Sequence, residues 1–312
     1  MKTLQRSARP RQARIRVPAS TSNLGPGFDA IGLAVGLCNE FLFERLDSGV
    51  EILIEGEGAS VLNCGEENRT YRAFHAACQA IGSPTPGVRI RQRNAIPLAR
   101  GLGGSATAVL AGTMAAFLFH EREPKPSLIL DQSFTIEDHP DNITPSLVGG
   151  LTVSASDNGH VAYVKIIPPH DLTTVTLIPD RDLGTRAARQ VVPQQFSRDD
   201  MIFSVRGASM IMAALATGQL AHLSLAMRDR LHQPYRAPLL PGMTEIFQAA
   251  LDAGSPGVAL SGAGSGIFAF AYARNERAIG KAMEKAAARF GMESCSLYLP
   301  IDNEGARIDE VS

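Results

Sequence analysis

The chain has 312 residues, with 30 Lys and Arg against 31 Asp and Glu, a formal net charge of -1 at pH 7, and 45% hydrophobic residues. That length allows one large domain or two ordinary ones, each with its own core. The composition is that of a soluble globular protein, and the balanced charge gives no footprint for nucleic acid or a membrane surface.

Residues 1–14 are rich in arginine and carry no acid. Nothing amphipathic follows, so residues 1–13 are read as a flexible, solvated N-terminus rather than a nucleic-acid arm or a presequence. "ARIRVPAS", "NEFLFERL" and "VEILIEGEG" read as strands by alternation or β-branched content. Residues 69–81 and 102–120 read as helices, the second with one broad apolar stripe from Leu102 to Leu118. "GGLTVSAS" and "VAYVKIIPP" form a hairpin about Asp157-Asn158-Gly159. Pro168-Pro169 ends a strand and marks the expected boundary between halves, residues 14–168 and 169–312. A strand at 173–179, helices near 186–192, 199–217 and 243–253, a glycine-rich strand pair, and a closing helix and strand follow. This irregular interleaving favours α+β over a doubly wound parallel sheet. No 18-residue apolar run or signal peptide is evident, so a cytoplasmic protein is expected. Cys38, Cys64, Cys78 and Cys295 lack CxxC spacing and read as reduced packing residues rather than zinc ligands.

Four segments carry candidate chemistry. "PLARGLGGSATAVLAG" places Gly101, Gly103, Gly104 and Ser105 at a helix start, where unpaired N–H groups can meet an anion. It lacks the lysine that ends a P-loop. A dinucleotide fingerprint fits the glycine spacing, but Glu121 and Glu123 lie in a proline-broken loop rather than at a strand end. A turn without a ligand does not account for three glycines where they weaken a helix. An anion site, with the Ser105 hydroxyl on a phosphate or its metal, is the better reading. "PASTSNLGPGFDAIGLAV" crowds Ser20, Thr21, Ser22, Asn23 and Asp29 about two glycines, as a lined pocket would. "IEDHPDNITPSLVGG" holds Glu137, Asp138, His139, Asp141 and Asn142. Its spacing does not suit zinc. Either Asp141 or Asn142 simply caps the following helix, or one carboxylate holds Mg²⁺ while the others grip a polar substrate. "LSGAGSGIFAF" is a hairpin or a phosphate-lining turn, and the residues do not separate the two.

In this order the four segments resemble the GHMP kinases over about residues 14–300. "PLARGLGGSATA" is similar to that family's phosphate loop and "LSGAGSG" to its C-terminal glycine turn. "PASTSNLGPGFDAIGLAV", "EDHPDNITPSLVGGLTV" and "LHQPYRAPLLPG" resemble the branch that acts on L-homoserine. Gly104, Ser265 and Asp138 depart from the usual serine, proline and glycine.

The resemblance implies a two-part α+β fold, with an N-terminal half like domain 2 of ribosomal protein S5 and a ferredoxin-like C-terminal half. It implies phosphoryl transfer from ATP to the L-homoserine hydroxyl, and family members are often homodimers. By the same resemblance, ATP would lie along Pro97, Leu98, Ala99, Arg100, Gly101, Leu102, Gly103, Gly104, Ser105, Ala106 and Thr107, with Asn68 near the adenosine and Gly262 and Gly264 beyond. Ser105 and Glu137 would hold Mg²⁺; Asn23, Asp29, His139, Asp141, Asn142, Arg189 and Arg236 would hold homoserine, with Asn23, Asn142 and Arg189 also at the chemistry. A carboxylate for the ammonium and an arginine fork for the carboxylate suit a zwitterionic amino acid. Asn142 stands where mevalonate-acting members use an aspartate, so the expected mechanism has no general base. A loose transition state needs little activation of the nucleophile.

Overall fold

A computed structural model describes residues 10–312. The elements run β1 (Gln12–Ser22), β2 (Ile31–Leu46), β3 (Val50–Gly56), α1 (Arg69–Ala80), β4 (Gly87–Asn94), α2 (Gly104–Phe119), α3 (Pro126–Phe134), α4 (Pro140–Val148), β5 (Leu151–Asp157) and β6 (His160–Ile166) in the first half. The second half contains β7 (Leu172–Pro179), α5 (Thr185–Gln190), α6 (Arg198–Thr217), α7 (Leu223–Ala226), α8 (Gln233–Arg236), α9 (Met243–Asp252), β8 (Val258–Leu260), β9 (Ile267–Tyr272), α10 (Glu276–Ala288), β10 (Ser294–Pro300) and β11 (Arg307–Val311).

The first sheet has seven strands in the order β11-β1-β2-β4-β3, with β5 on β2 and β6 on β5. Ala13, Ile15 and Val17 turn inward on β1 while Arg14 and Arg16 turn outward, the period of two that a half-buried strand requires. From Val17 onward every residue of β1 is buried, so alternation stops where the strand enters the body of the protein. The β1–β2 register shifts between Pro18 and Ala19, a place where a residue without an N–H costs no ladder bond. β2 is long enough to serve two partners, pairing with β5 through Ile31–Leu33 and with β4 through Glu40–Leu46. β3 and β4 are parallel and joined through α1, whose Phe74 packs in the core with Phe43 and Phe119.

α2 is the central helix of the first half. Instead of one stripe, it buries twelve of its sixteen residues. A helix apolar on every face must be wrapped, and here α1 crosses so closely that a Cβ at Gly112 would lie 2.2 Å from the Thr70 carbonyl.

The second sheet runs β10-β7-β9-β8, all antiparallel, with α9 and α10 packed on it. Taken from β7, the path β-α-β-β-α-β with strand order 4-1-3-2 is ferredoxin-like, interrupted by α5–α8 between β7 and α9. α6, of 20 residues with mean hydropathy 1.2 over its 18-residue window, is long and apolar enough to cross a membrane by length and composition. It carries Arg206 near its middle, and its Ile211, Ala214 and Leu215 pack with Leu33, Leu151, Phe268 and Phe270, joining the two halves.

Two expectations change at the chain ends. Gln12 and Ala13, expected in the flexible N-terminus, pair with Glu44 and Phe43 in β1, and residues 1–9 lie outside the described part. β11, expected with the C-terminal half, pairs with β1 and closes the edge of the first sheet, so the last strand of the chain belongs to the first half. The four cysteines are free, but Cys64 and Cys295 are exposed rather than packed.

Candidate active site

A cleft of about 600 Å³ opens between the halves. Its floor is the loop from β4 to α2. The loop reverses through left-handed backbone at Ala99, Gly101 and Gly103, and Gly103 is the N-cap of α2. Gly104, Ser105 and Ala106 therefore begin the helix with N–H groups that have no carbonyl a turn earlier, aimed where an anion is favoured. Pro97 through Ala106 line the cleft. Thr107 does not: fully buried beneath the loop, its Oγ1 donates to the Gly104 carbonyl at 2.7 Å and accepts from Asn39 Nδ2 at 3.0 Å.

The loop glycines answer to close packing as much as to a ligand, Gly101 against the other half of the chain and Gly103 against β1. A Cβ at Gly101 would lie 1.8 Å from the Ser261 carbonyl oxygen, and one at Gly103 would lie 2.3 Å from Ser20 Oγ. At Gly104 the nearest atom would be 3.6 Å away, so the departure from serine there meets no steric demand. Ser261 Oγ donates to the Gly101 carbonyl at 2.7 Å, and the Gly262 N–H donates to the Ser22 carbonyl at 3.2 Å. The C-terminal glycine turn is thus a buttress under the loop from β4 to α2. Gly262 also lines the cleft, whereas Gly264 points away, toward Leu183 and Leu260. Gly101→Ala is therefore expected to cost about 2–4 kcal/mol, from strained backbone and overpacking together. Gly104→Ser is expected to change stability by less than about 0.5 kcal/mol. Urea unfolding of both variants is the measurement, and equal midpoints would refute the packing account.

At one end of the cleft, Asn68 caps α1. Its Oδ1 accepts from the Thr70 N–H and from Gln92 Nε2, both at 2.9 Å, and its Nδ2 donates to the Asn63 carbonyl at 2.8 Å. Deeper in, Ser105 Oγ donates to Glu137 Oε2 at 2.5 Å, and Arg69 Nη1 lies 2.8 Å from the same oxygen. The Glu137 side chain is 11% exposed and the Asp138 side chain 85%, so the two adjacent carboxylates differ in burial.

The other end is ionic. Asn23 sits in left-handed backbone, donates Nδ2 to the Gly262 carbonyl at 2.8 Å and accepts from the Asp29 N–H at 3.0 Å. Asp29 Oδ1 pairs with Arg189 Nη2 at 2.7 Å, and the same Nη2 lies 2.9 Å from His139 Nδ1. Asp141, in the first turn of α4, is fully buried; loss of water, then the neighbouring Asp29 charge, push its carboxyl up to about 6. Asn142 Nδ2 reaches Asp141 Oδ1 and Ser22 Oγ, both at 3.2 Å. Arg236 is 2% exposed and pulled down to about 10, by burial first and by Arg189 next, which leaves it charged near neutrality.

Two further side chains shape this end; both lie inside quoted motifs, but neither was named as a site residue. Phe28 stacks on His232 with ring centroids 5.1 Å apart, and the guanidinium groups of Arg189 and Arg236 lie 5.9 and 5.5 Å from its centre. His232, held neutral chiefly by burial, donates Nε2–H to the Gly25 carbonyl at 2.8 Å and so offers Nδ1 to Arg236 at 3.0 Å. A phenylalanine inside a polar motif was the available signal; its two arginines come from far along the chain.

A helix-start phosphate cradle facing an arginine and carboxylate pocket, between these two sheets, defines a class of small-molecule kinase. The model for the GHMP kinases N terminal domain matches residues 68–150 and that for the GHMP kinases C terminal domain matches residues 211–290. The homoserine kinase of Moorella thermoacetica is 40% identical over 94% of this chain and 98% of its own length, and that of Persephonella marina 38% over 95% and 98%. A crystal structure of homoserine kinase from Cytophaga hutchinsonii matches with a TM-score of 0.88 at 26% identity, covering 98% of this chain and all of that one. Mevalonate kinase of Methanococcus jannaschii, 14% identical over 92% of this chain and 98% of that one, shares the fold with a TM-score of 0.68. The chain belongs to the GHMP kinase family, among its homoserine kinases.

Proposed function

We propose that this protein transfers the γ-phosphoryl group of ATP to the side-chain hydroxyl of L-homoserine, giving ADP and O-phospho-L-homoserine. The observation that carries this reading is the pairing of a helix start without a side-chain cap at Gly104–Ala106 with the Asp29–Arg189 and Asp141 group across one cleft. The first suits a phosphate chain, the second a zwitterion. ADP release from pure protein, Mg-ATP and a panel of small alcohols tests it; equal rates with a same-length alcohol lacking the amino and carboxyl groups would count against it.

The donor set at Ser105 and Glu137, a hydroxyl and a buried carboxylate oxygen 2.5 Å apart, fits a hard divalent cation, and a positive group from Arg69 already lies against it. When bound there, Mg²⁺ would neutralise charge on the transferring phosphoryl group. The chain's own residues do the rest. The N–H groups of Gly104 to Ala106 hold phosphate oxygens in fixed dipoles that need no reorganisation during transfer. Arg189 leaves Asp29 to take the substrate carboxylate, and Asp29 and Asp141 then share the substrate ammonium. Asn142 and Asn23 position the hydroxyl, and no proton acceptor is assigned to it. The cytoplasmic location, expected from the sequence composition, and the homodimer, expected from the family resemblance, belong to the same proposal.

A carboxyl titrating near 6 gives this reading a pH signature. Asp141 holds an ammonium only when ionised, so binding draws it toward the charged form and releases a proton. Homoserine KM is expected to rise by about tenfold per pH unit below about 6, while kcat at saturation changes little. Asp29, His139 and Arg189 face the same carboxyl, and Asp141→Asn should flatten the KM profile. A fall in kcat instead, with KM level, would make Asp141 a proton acceptor for the hydroxyl.

A further inference from the structure

The phosphate loop has no lysine, and the arginines that line the cleft are not equally available. Arg100 donates Nε to the Pro179 carbonyl at 2.8 Å and Nη1 to the Leu98 carbonyl at 3.0 Å, and pairs with Asp182. Arg189 lies at the ionic end on Asp29 and His139. Arg236 is buried against the Ala188 and Gly262 carbonyls and His232. Among the described residues lining the cleft, Arg69 is the remaining arginine, and no lysine lines it.

Arg69 is the first residue of α1, immediately after Asn68, and its side chain is 50% exposed. Its Nη1 lies 2.5 Å from Ser105 Oγ and 2.8 Å from Glu137 Oε2. Those are the two oxygens that suit a divalent cation, and a guanidinium and Mg²⁺ cannot occupy the same pair. Arrival of the metal nucleotide must therefore displace the guanidinium. Its stem is anchored at the start of α1, beside the start of α2, so the nearest anions for the displaced group are the nucleotide's phosphates.

We propose that Arg69 is a phosphate-binding residue of the transfer reaction. Before nucleotide binds, it neutralises the buried Glu137 carboxylate and keeps the Ser105–Glu137 pair assembled. When nucleotide arrives, it gives up that carboxylate and takes phosphate oxygens, supplying the side-chain cation that the loop lacks. A five-donor planar fork can make this exchange without losing all its partners at once. The proposal rests on the ATP-dependent kinase reading of the cleft.

Calorimetric titration of the full chain with ATP, in magnesium and in chelator, tests it on the parent, Arg69→Gln and Arg69→Lys. Arg69→Gln is expected to weaken Mg-ATP binding tenfold or more and to raise KM for Mg-ATP, with a smaller loss in chelator, where no metal displaces the guanidinium from Glu137, and with homoserine binding measured without nucleotide unchanged. Arg69→Lys should recover most of the affinity, since it restores the charge. A purely structural role would be met as well by a neutral side chain that keeps the hydrogen bonds to Ser105 and Glu137, so Arg69→Gln would then bind Mg-ATP as the parent does. Arg69→Ala serves as the second uncharged variant should Arg69→Gln fail to fold by circular dichroism. Parent-like ATP affinity for the uncharged variant in both conditions would overturn the proposal. A parent that binds no ATP in either condition would instead overturn the kinase reading on which it rests.

Discussion

Glu137→Gln is expected to lower kcat/KM for Mg-ATP by about a hundredfold, with a shift to higher magnesium requirement, while Asp138→Asn leaves both near parental values. The contrast follows from burial. Glu137 is held by Ser105 Oγ and Arg69 at the cleft floor, and the neighbouring Asp138 carboxylate stands in solvent, 3.4 Å from His139 Nε2. Glutamine keeps the shape and removes the charge, so the loss should appear in metal dependence rather than in folding. Ser105→Ala should act on the same parameter, because it deletes the other oxygen of the pair and leaves the backbone cradle intact. Activity measured across a magnesium titration is the check; an Asp138→Asn defect with a normal Glu137→Gln enzyme would reverse the assignment.

Arg189→Ala is expected to raise homoserine KM by roughly tenfold or more, the equivalent of losing one charge-assisted contact of about 1.5–3 kcal/mol, with ATP binding little changed. Arg189 is the cleaner of the two arginines for this test. Its side chain is 39% exposed and contacts Asp29, His139 and the Phe28 ring, so its removal leaves no buried void. Arg236 is among the largest fully buried side chains, and its three partners are structural. Arg236→Ala should lose stability as well as affinity, because it empties a buried volume and removes the Arg236 donors to the Ala188 and Gly262 carbonyls, the second of which keeps Asn23 Nδ2. Steady-state kinetics with homoserine and with a same-length alcohol lacking the carboxylate separates the effects. Arg189→Ala should matter for the amino acid and hardly at all for the plain alcohol. Normal homoserine kinetics in Arg189→Ala would point to another alcohol as the substrate.

The sequence by itself determined the local elements and the loops that carry polar chemistry. Glycines at a helix start, asparagine and aspartate in left-handed turns, and prolines at strand ends act within a few residues, so their meaning is readable from neighbours alone. The helices from Arg69, Thr185, Arg198 and Met243 and the hairpin at Asn158 lie within two residues of where periodicity places them. β4, α3 and β11 went unread: β4 does alternate arginine with buried residues, a strand period that was passed over, whereas β11 has only an edge to fill. The burial of α2 on nearly every face was equally hidden, since a stripe and a wrapped helix differ only in what surrounds them.

Tertiary structure alone decided which polar residues meet. Asp29 and Arg189 are 160 positions apart and paired at 2.7 Å; Arg69 reaches Ser105 across 36 positions. Gly101 owes its lack of a side chain to a carbonyl at Ser261, in the far half of the chain. Resemblance had favoured Glu137 over Asp138 for the metal, and the tertiary structure sets the Glu137 side chain inside and the Asp138 side chain out. Local conformational preference is a property of a few adjacent residues. Charge pairing and close packing depend on distance in space, which the chain order does not encode until the two sheets have closed on each other.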